Sequence, residues 1–311
     1  MSEFDGVAVI VVNYGSSDLL QQNLAPLVRR APGAVCVVVD NFTEPAERQA
    51  VVALAAVEGW SVVLPEGNDG FGSGMNQGVA RARALGARHF LLLNPDAVVD
   101  VEALRKLLAF SREHPGTMAA PRILRPDGSV WFDGSDLYLD DGRIRSTRRR
   151  DQATPGPIDE WLSGACLIVS DDLWERSGGF DEDYFLYWED VDLSKRVVTA
   201  GGSLAVVGDV SIVHAEGGTQ KGGGHVVSGE AKSTVYYFHN IRNRLLYATK
   251  HLDDEGLVKW RAASRRVAWE ILLQGGRRQF VTSPGTLLVA YRAHRAGLAY
   301  VDAELARRRG R

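Results

Sequence analysis

Short, β-branched apolar runs alternate with stretches of helical periodicity through the first third of the chain. Val7 to Val12 is apolar at every position and ends in Asn13-Tyr14-Gly15, the pattern of a strand buried on both faces. Ser16 and Ser17 stand where a helix over 18–30 wants its cap, and Pro32-Gly33 breaks that helix. A second buried strand over 35–39 ends in Asp40-Asn41, a helix follows over 46–57, and a third strand spans 61–64. Pro65 to Gly74 reads as a glycine-rich loop. A helix over 75–85 comes next, then a fourth strand over 89–93 ending in Asn94-Pro95-Asp96, and a helix over 101–114. This spacing predicts an α/β fold whose mainly parallel sheet carries helices on both faces. Ligands of such sheets sit beyond the carboxyl ends of the strands. Asn13, Asp40, Asn41, Asn68, Asp69, Asn94 and Asp96 all follow strands, so they are expected to converge on one rim.

The rhythm changes after Met118. Pro126-Asp127-Gly128 reads as a turn between short strands. The stretch from Arg143 to Asp151 holds five arginines and reads as a mobile basic loop. Trp161 to Val169 reads as one apolar strand, and 171–177 as a short helix stopped by Gly178-Gly179. Short strands follow over 203–207 and 210–213, the second ending at His214. Gly217 to Gly224 is glycine-rich, and from Glu230 the pattern is helical to the end.

The stretch from Gly178 to Arg196 stands out chemically. It carries six acidic residues, with Tyr184, Phe185, Tyr187 and Trp188 between the two acidic groups. Aromatic bulk beside carboxyls makes a partly dry wall, which raises carboxyl pKa and suits a general base. The competing reading is a helix start, with Glu189 and Asp190 at the positive end of the following helix. Composition narrows the classes. Net charge is −3 and apolar content 45%, ordinary for a globular protein and no basis for nucleic-acid binding. Cys36 and Cys166 lie inside apolar runs and read as buried thiols of a reducing compartment. Val7 to Val12 is too short for a signal peptide and lacks a basic lead, and no run approaches a membrane span. The protein is expected in the cytoplasm.

The loop from Gly70 to Gly78 begins as GxGxG and opens a helix. Such turns bring backbone N–H groups to a phosphate, or simply make a tight strand–helix connection. It is not the dinucleotide fingerprint, which would follow the first strand. Asp96 has the chemistry to hold a divalent cation against a diphosphate, or to serve as a turn residue before a helix. His214, at another strand end, is a ligand or a structural histidine.

Taken together and in order, these motifs resemble family 2 glycosyltransferases of the GT-A fold, with bacterial rhamnosyltransferases the nearest likeness. The pieces are VIVVNYG at 9–15, VVDN at 38–41, NDGFGSGMNQG at 68–78, LLLNPDA at 91–97, GACLIV at 164–169, GGFDEDYFLYWEDVDLSKR at 178–196, His214 and HNIRNRL at 239–245. The resemblance implies a catalytic domain over 1–250, with a nucleotide-sugar half over 1–116 and an acceptor half over 117–250, then a helical extension over 251–311. It implies that Asn13, Tyr14, Asp40 and Asn41 frame the nucleobase and ribose, and that Gly70, Gly72 and Asn76 lie near the nucleotide sugar. Arg242 would face the diphosphate. Asp96 and His214 would bind Mn²⁺ or Mg²⁺, and Asp190 of the Glu189-Asp190 pair would be the base. Two positions depart from the family pattern. Asn94, grouped with the donor-binding residues, replaces the first Asp of an Asp-x-Asp motif, and Gly15 stands where many relatives have Asn.

The implied activity is inverting transfer of a sugar, L-rhamnose from a dTDP donor by overall likeness, to a hydroxyl of a saccharide acceptor carried on a polyprenyl diphosphate, in cell-wall or surface polysaccharide synthesis. UDP- or GDP-sugar donors and a non-catalytic nucleotide-sugar-binding homologue are the alternatives. A nicotinamide oxidoreductase would need a glycine fingerprint after the first strand, and a nucleotidylyltransferase a basic loop there; Ser16 to Leu20 is neither. Over 259–311 there are twelve Lys/Arg against three Asp/Glu, a local balance of +9 in a chain of net −3. With Trp260, Trp269, Phe280, Leu287, Leu288, Tyr291 and Tyr300 among them, these residues suggest helices lying on an anionic membrane surface. Packing on the catalytic domain or a homodimer contact is the competing use.

Overall fold

The structure, a computed structural model, describes residues 2–150, 156–215 and 232–310. Its strands are Val7–Asn13 (β1), Val35–Asp40 (β2), Ser61–Val63 (β3), His89–Leu93 (β4), Ala97–Val98 (β5), Thr117–Leu124 (β6), Val130–Phe132 (β7), Ser135–Tyr138 (β8), Arg143–Ser146 (β9), Ile158–Trp161 (β10), Cys166–Ser170 (β11) and Ser203–His214 (β12). Among the described residues, nine of them form a mixed sheet in the order β3-β2-β1-β4-β11-β6-β12-β5, with β7 on β6. β3, β2, β1 and β4 run parallel, whereas β11 is antiparallel to both its neighbours. The rim at the carboxyl ends of β1, β2 and β4 therefore also receives the start of β11 and the end of β12. β10, β8 and β9 form a separate small sheet.

The helices are Ser17–Leu19 (α1), joined through a π-helical turn over Leu20–Leu24 to Ala25–Arg29 (α2), then Pro45–Glu58 (α3), Phe71–Ala84 (α4), Val101–Glu113 (α5), Asp171–Ser177 (α6), Glu189–Thr199 (α7), Thr234–His251 (α8), Asp254–Leu273 (α9), Gln279–Thr282 (α10) and Gly285–Arg309 (α11). Every residue of β1 is buried, as its unbroken apolar run requires. The expected alternation and the mainly parallel arrangement of β1 to β4 are present.

Three local expectations are corrected. The glycine-rich stretch is not loop as far as Gly74: α4 starts at Phe71, and a side chain at Gly78 would overlap Ile10, so the glycines let this helix lie close on β1. The run from Trp161 to Val169 is two strands, β10 and β11, parted by Leu162–Ala165 because each belongs to a different sheet. The arginine-rich segment is not a free loop: Arg143–Ser146 is β9, paired antiparallel with β8, and Arg150 is tied to Asp136 and Glu160. The glycine-rich run over 217–224 lies outside the described residues.

One large core surrounds the sheet. A second joins Tyr184, Trp188 and Val191 of the acidic segment to Leu245, Tyr247, Leu257, Trp260 and Val301. Trp260 is thus not surface material: its Nε1–H donates to the Leu139 carbonyl at 2.6 Å, it stacks on Tyr247, and the buried Arg244 guanidinium lies 4.6 Å from its ring. The helices past residue 250 accordingly share a core with the acidic segment. Among the described residues no helix is long and apolar enough to cross a membrane.

Candidate active site

The β1–β2 register places Asn13 beside Asp40. Asn13 Nδ2 donates to Asp40 Oδ1 at 3.0 Å and to Glu47 at 3.2 Å, and its own Oδ1 accepts from the Ser16 N–H and hydroxyl. Arg48 holds the other Asp40 oxygen at 2.9 Å and reaches the Pro65 carbonyl, with its guanidinium over Phe42. Both Asn13 and Asp40 are fully buried, whereas Tyr14 is 48% exposed on the rim. Glu47 and Arg48 carry no strand-end signal, so sequence pattern did not reveal them. Their position in the first turn of α3, soon after the end of β2, was the available clue.

Asn41 connects this cluster to the glycine turn. Its Nδ2 donates to the Gly70 carbonyl at 2.8 Å, while its Oδ1 is buried with no hydrogen-bond partner among the described residues. Gly70 has φ +91°, and a side chain there would run into the Phe185 carbonyl oxygen, which accepts from the Phe71 N–H at 3.0 Å. Gly72 packs against Phe180. Asn76 clamps the Phe180 backbone, donating to its carbonyl and accepting from its N–H, each at 2.9 Å. The turn's side chains therefore grip the segment that leads into Glu189 and Asp190.

That segment is strained where it meets the helix. Tyr187 (φ 65°) and Trp188 (φ 77°) are consecutive left-handed residues that are not glycine, a costly backbone that persists only when its surroundings enforce it. Asn243 of α8 supplies the enforcement: fully buried, it donates from Nδ2 to the Leu186 carbonyl at 3.0 Å and the Tyr187 carbonyl at 2.7 Å. Arg242 is its neighbour in space as well, bonding Asn243 Oδ1 at 2.7 Å and the Asp183 carbonyl at 3.3 Å. Replacing Asn243 with alanine leaves the part-buried Leu186 and Tyr187 carbonyls without this donor and is expected to cost about 1–3 kcal/mol of stability, read as a lower melting temperature; an unchanged one would remove the enforcing role.

The three carboxyls that follow have separate environments. Glu189 is buried, its Oε2 has no hydrogen-bond partner among the described residues, and burial together with the Asp190 charge pushes its pKa well up. Asp190 is also raised by burial, to about 6, against the N–H groups of Gly164 and Val191 that hold its two oxygens at 2.9 Å each. It keeps part of its surface open. Burial also works to raise Asp192, but His251 at 2.6 Å and Arg196 at 2.7 Å outweigh it and hold Asp192 below the usual carboxylate range. Asp192 is thus an ion-paired anchor. Burial and the Asp190 charge favour the protonated form of Glu189, and Asp190 is the more open member of the adjacent pair. Gly164, which fixes Asp190, adjoins Ala165, whose carbonyl accepts from the Asn94 N–H at 3.0 Å.

Asp96 and His214 meet because β5 pairs with the end of β12, His214 opposite Ala97. His214 Nε2 lies 3.0 Å from Asp96 Oδ1, both side chains are buried, and the Trp131 ring lies 4.8 Å from the imidazole. Asn23 Nδ2 donates to the Pro95 carbonyl and pins the loop. The cap of α5 is Asp100, which accepts from the Ala103 N–H, so Asp96 is not needed for that role. Asp96 and His214 bring one carboxylate and one imidazole together, donor types that Mg²⁺ and Mn²⁺ accept. Among the described residues no group of three or more His, Cys, Asp or Glu gathers. The pair therefore fits a cation that takes the rest of its shell from water and phosphate, as Mg²⁺ and Mn²⁺ do.

Residues 5–223 match the model of the family described as glycosyltransferase like family 2. The chain belongs to that family. Among curated relatives of this family-2 chain, the Haloferax volcanii low-salt glycan biosynthesis hexosyltransferase Agl10 is 26% identical over 62% of this chain and 61% of its own length. The Mycobacterium tuberculosis N-acetylglucosaminyl-diphospho-decaprenol L-rhamnosyltransferase is 27% identical over 68% and 76% respectively. The Shigella flexneri dTDP-rhamnosyl transferase RfbF is 23% identical over 68% and 69%. Two solved structures share the fold: GalNAc-T7 with UDP, GalNAc and Mn²⁺ (TM-score 0.56, 14% identity, 90% of this chain and 58% of that one) and the Pyrobaculum calidifontis mannosyltransferase PcManGT with GDP-Man and Mn²⁺ (TM-score 0.55, 15% identity, 97% and 86%). The chain thus spans about three fifths of Agl10 and of GalNAc-T7. The likeness agrees with the mixed sheet described above.

Proposed function

We propose that this family-2 glycosyltransferase moves L-rhamnose from a dTDP donor to a hydroxyl of a saccharide carried on a polyprenyl diphosphate, with inversion. The observation that carries the reading is the contrast between the adjacent carboxyls, Glu189 buried and Asp190 partly open with backbone N–H groups holding its oxygens, at a rim that also holds Asp96 and His214. In the proposed step Asp190 takes the acceptor hydroxyl proton. The acceptor oxygen bonds the anomeric carbon as the carbon–oxygen bond to the diphosphate breaks, and the nucleoside diphosphate departs. One base and no covalent nucleophile suffice, which is the economy of an inverting displacement. Asp96 and His214 would hold Mn²⁺ or Mg²⁺, which supplies positive charge to the leaving diphosphate. Asn13, Asp40 and Asn41 shape the base and ribose end, and the exposed Tyr14 offers a ring for stacking. The names of the mycobacterial and Shigella relatives support the sugar, the donor and the lipid-diphosphate acceptor. In a panel of dTDP-, UDP- and GDP-sugars, dTDP-L-rhamnose is expected to be consumed. Consumption of only a UDP- or GDP-sugar would overturn the donor.

A lipid-carried acceptor calls for contact with a membrane. Trp269 and Phe280 stack 5.3 Å apart, and Trp269, Val281, Leu287, Leu288 and Tyr291 are all exposed near one another in sequence at the α9–α11 connection. Arg277, Arg278, Arg292 and Arg295 have no carboxylate within ion-pair distance among the described residues, unlike Arg261, Arg266, Arg307 and Arg308. Exposed aromatics among unpaired arginines suit the interface of an anionic bilayer, at roughly 1 kcal/mol per basic residue. The protein is expected to sediment with phosphatidylglycerol vesicles at low salt and to be released at high salt. Retention in solution at low salt would show that this face serves another contact.

A further inference from the structure

The arginines of β9 are not absorbed by the donor site or the catalytic pair. A cleft of about 670 Å³ is lined by Arg125, Val130, Trp131, Ile144, Arg145 and Arg148, together with Ser146. It lies between β7, which hangs on β6, and β9, the edge of the small sheet. Its basic residues are differently committed from their neighbours. Arg122, Arg143 and Arg150 are each ion-paired, to Asp133, Asp141 and Asp136. Arg145 and Arg148 have no carboxylate partner among the described residues; Arg145 rests on the Tyr138 ring at 5.3 Å. Arg125 donates to the Val130 carbonyl, with Asp127 the acidic group that feels its charge. Trp131 is wall to this cleft and, at 4.8 Å, neighbour to the His214 ring. The cleft therefore opens beside the Asp96–His214 pair. A second cleft, about 650 Å³ around Arg83, Arg88 and Asp171, lies at the start of β4 and the end of β11, the rim opposite the carboxyl ends of β1 and β4, and there both arginines are ion-paired.

We infer that the Arg125–Arg145–Arg148 cleft binds the phosphate-bearing end of the acceptor, separately from the diphosphate of the donor. The inference rests on the glycosyl-transfer reading above. Unpaired guanidinium groups match phosphate oxygens with charge-assisted hydrogen bonds, and the Trp131 and Ile144 surfaces supply apolar contact for what the phosphate carries. Arginines that merely guard an edge strand against pairing would show no ligand dependence. Farnesyl diphosphate is the probe, with farnesol as its neutral counterpart and pyrophosphate as the free anion, each titrated calorimetrically against the full chain and against R145E/R148E. The wild type is expected to bind farnesyl diphosphate more tightly than either control. The double variant should lose at least about tenfold of that affinity while binding dTDP as the wild type does. Unchanged farnesyl diphosphate affinity in the variant, or a parallel loss of dTDP binding, would overturn the inference. Pyrophosphate binding as well as farnesyl diphosphate would likewise overturn it, by reducing the cleft to a general anion site. A wild type that binds no nucleoside diphosphate at all would instead sink the glycosyl-transfer reading, and this proposal with it.

Discussion

Asp190→Asn is expected to lower turnover by roughly 10²–10⁴-fold, the usual worth of a general base, with donor affinity nearly unchanged. Asparagine keeps the size of the side chain and can still accept from Gly164 or Val191, so the loop need not move. What it loses is the capacity to take a proton. The neighbouring Glu189→Gln keeps the size of a side chain that burial and the Asp190 charge both push toward its protonated form. That variant should keep turnover within a few-fold, roughly the cost of one altered hydrogen bond. The pH profile separates the two further. Asp190 works when ionised, and its pKa is raised from the ordinary carboxylate value to about 6. Catalytic efficiency should therefore fall as pH drops through about 6, and that acid limb should vanish in Asp190→Asn. Because the carboxyls are adjacent, the limb belongs to the pair. Burial is what raises Asp190, and Glu189→Gln does not relieve it, so that variant should keep the limb near the same pH. Stability carries the opposite sign. A carboxyl whose folded pKa is raised stabilises the fold below its unfolded pKa and loses that contribution as pH rises through the folded value. Glu189→Gln should accordingly melt higher than the wild type in alkaline buffer. Near-normal turnover in Asp190→Asn would move the role to Glu189, since Asp192 is occupied by Arg196 and His251.

The sheet was legible because its signal is local. Val7 to Val12 can be little else than a buried strand, and polar residues after each such run must gather at one end of a parallel sheet. Asp96 and His214 were nameable separately, but their contact depends on β5 pairing with the end of β12 across more than a hundred residues. Nothing in local periodicity encodes that pairing. The acidic segment was recognisable from its composition, yet its division of labour was not. Asp192 differs from Asp190 through His251 and Arg196, and Glu189 through an Oε2 with no partner among the described residues. Asn243 escaped for a related reason: its role exists only because Tyr187 and Trp188 take positive φ, a backbone state that neither residue type advertises. The arginine run misled as a loop because a four-residue edge strand with two arginines and one apolar residue, Ile144, is too short to show a period.

Excess chelator is expected to reduce turnover by about 10²-fold or more, and added Mn²⁺ or Mg²⁺ to restore it. A cation on a leaving diphosphate is worth several kcal/mol of charge stabilisation, and each 1.4 kcal/mol is about tenfold in rate. The described residues offer it one carboxylate and one imidazole, 3.0 Å apart and buried. Asn94 stands where a second carboxylate would raise the negative charge of the site, and cation affinity rises with that charge. The free protein should therefore hold the ion loosely and the nucleotide complex should hold it tightly, because the diphosphate completes the shell. Calorimetry can read this without any turnover: dTDP should bind more tightly with Mn²⁺ present, and Mn²⁺ more tightly with dTDP present, by the same factor. Asp96→Asn should erase that coupling, whereas a structural Asp96–His214 pair would leave it intact while lowering the melting temperature. Asn94→Asp should tighten Mn²⁺ in the absence of nucleotide. Full turnover in excess chelator, with dTDP affinity indifferent to Mn²⁺, would remove the cation from this site and leave the departing diphosphate to protein donors alone.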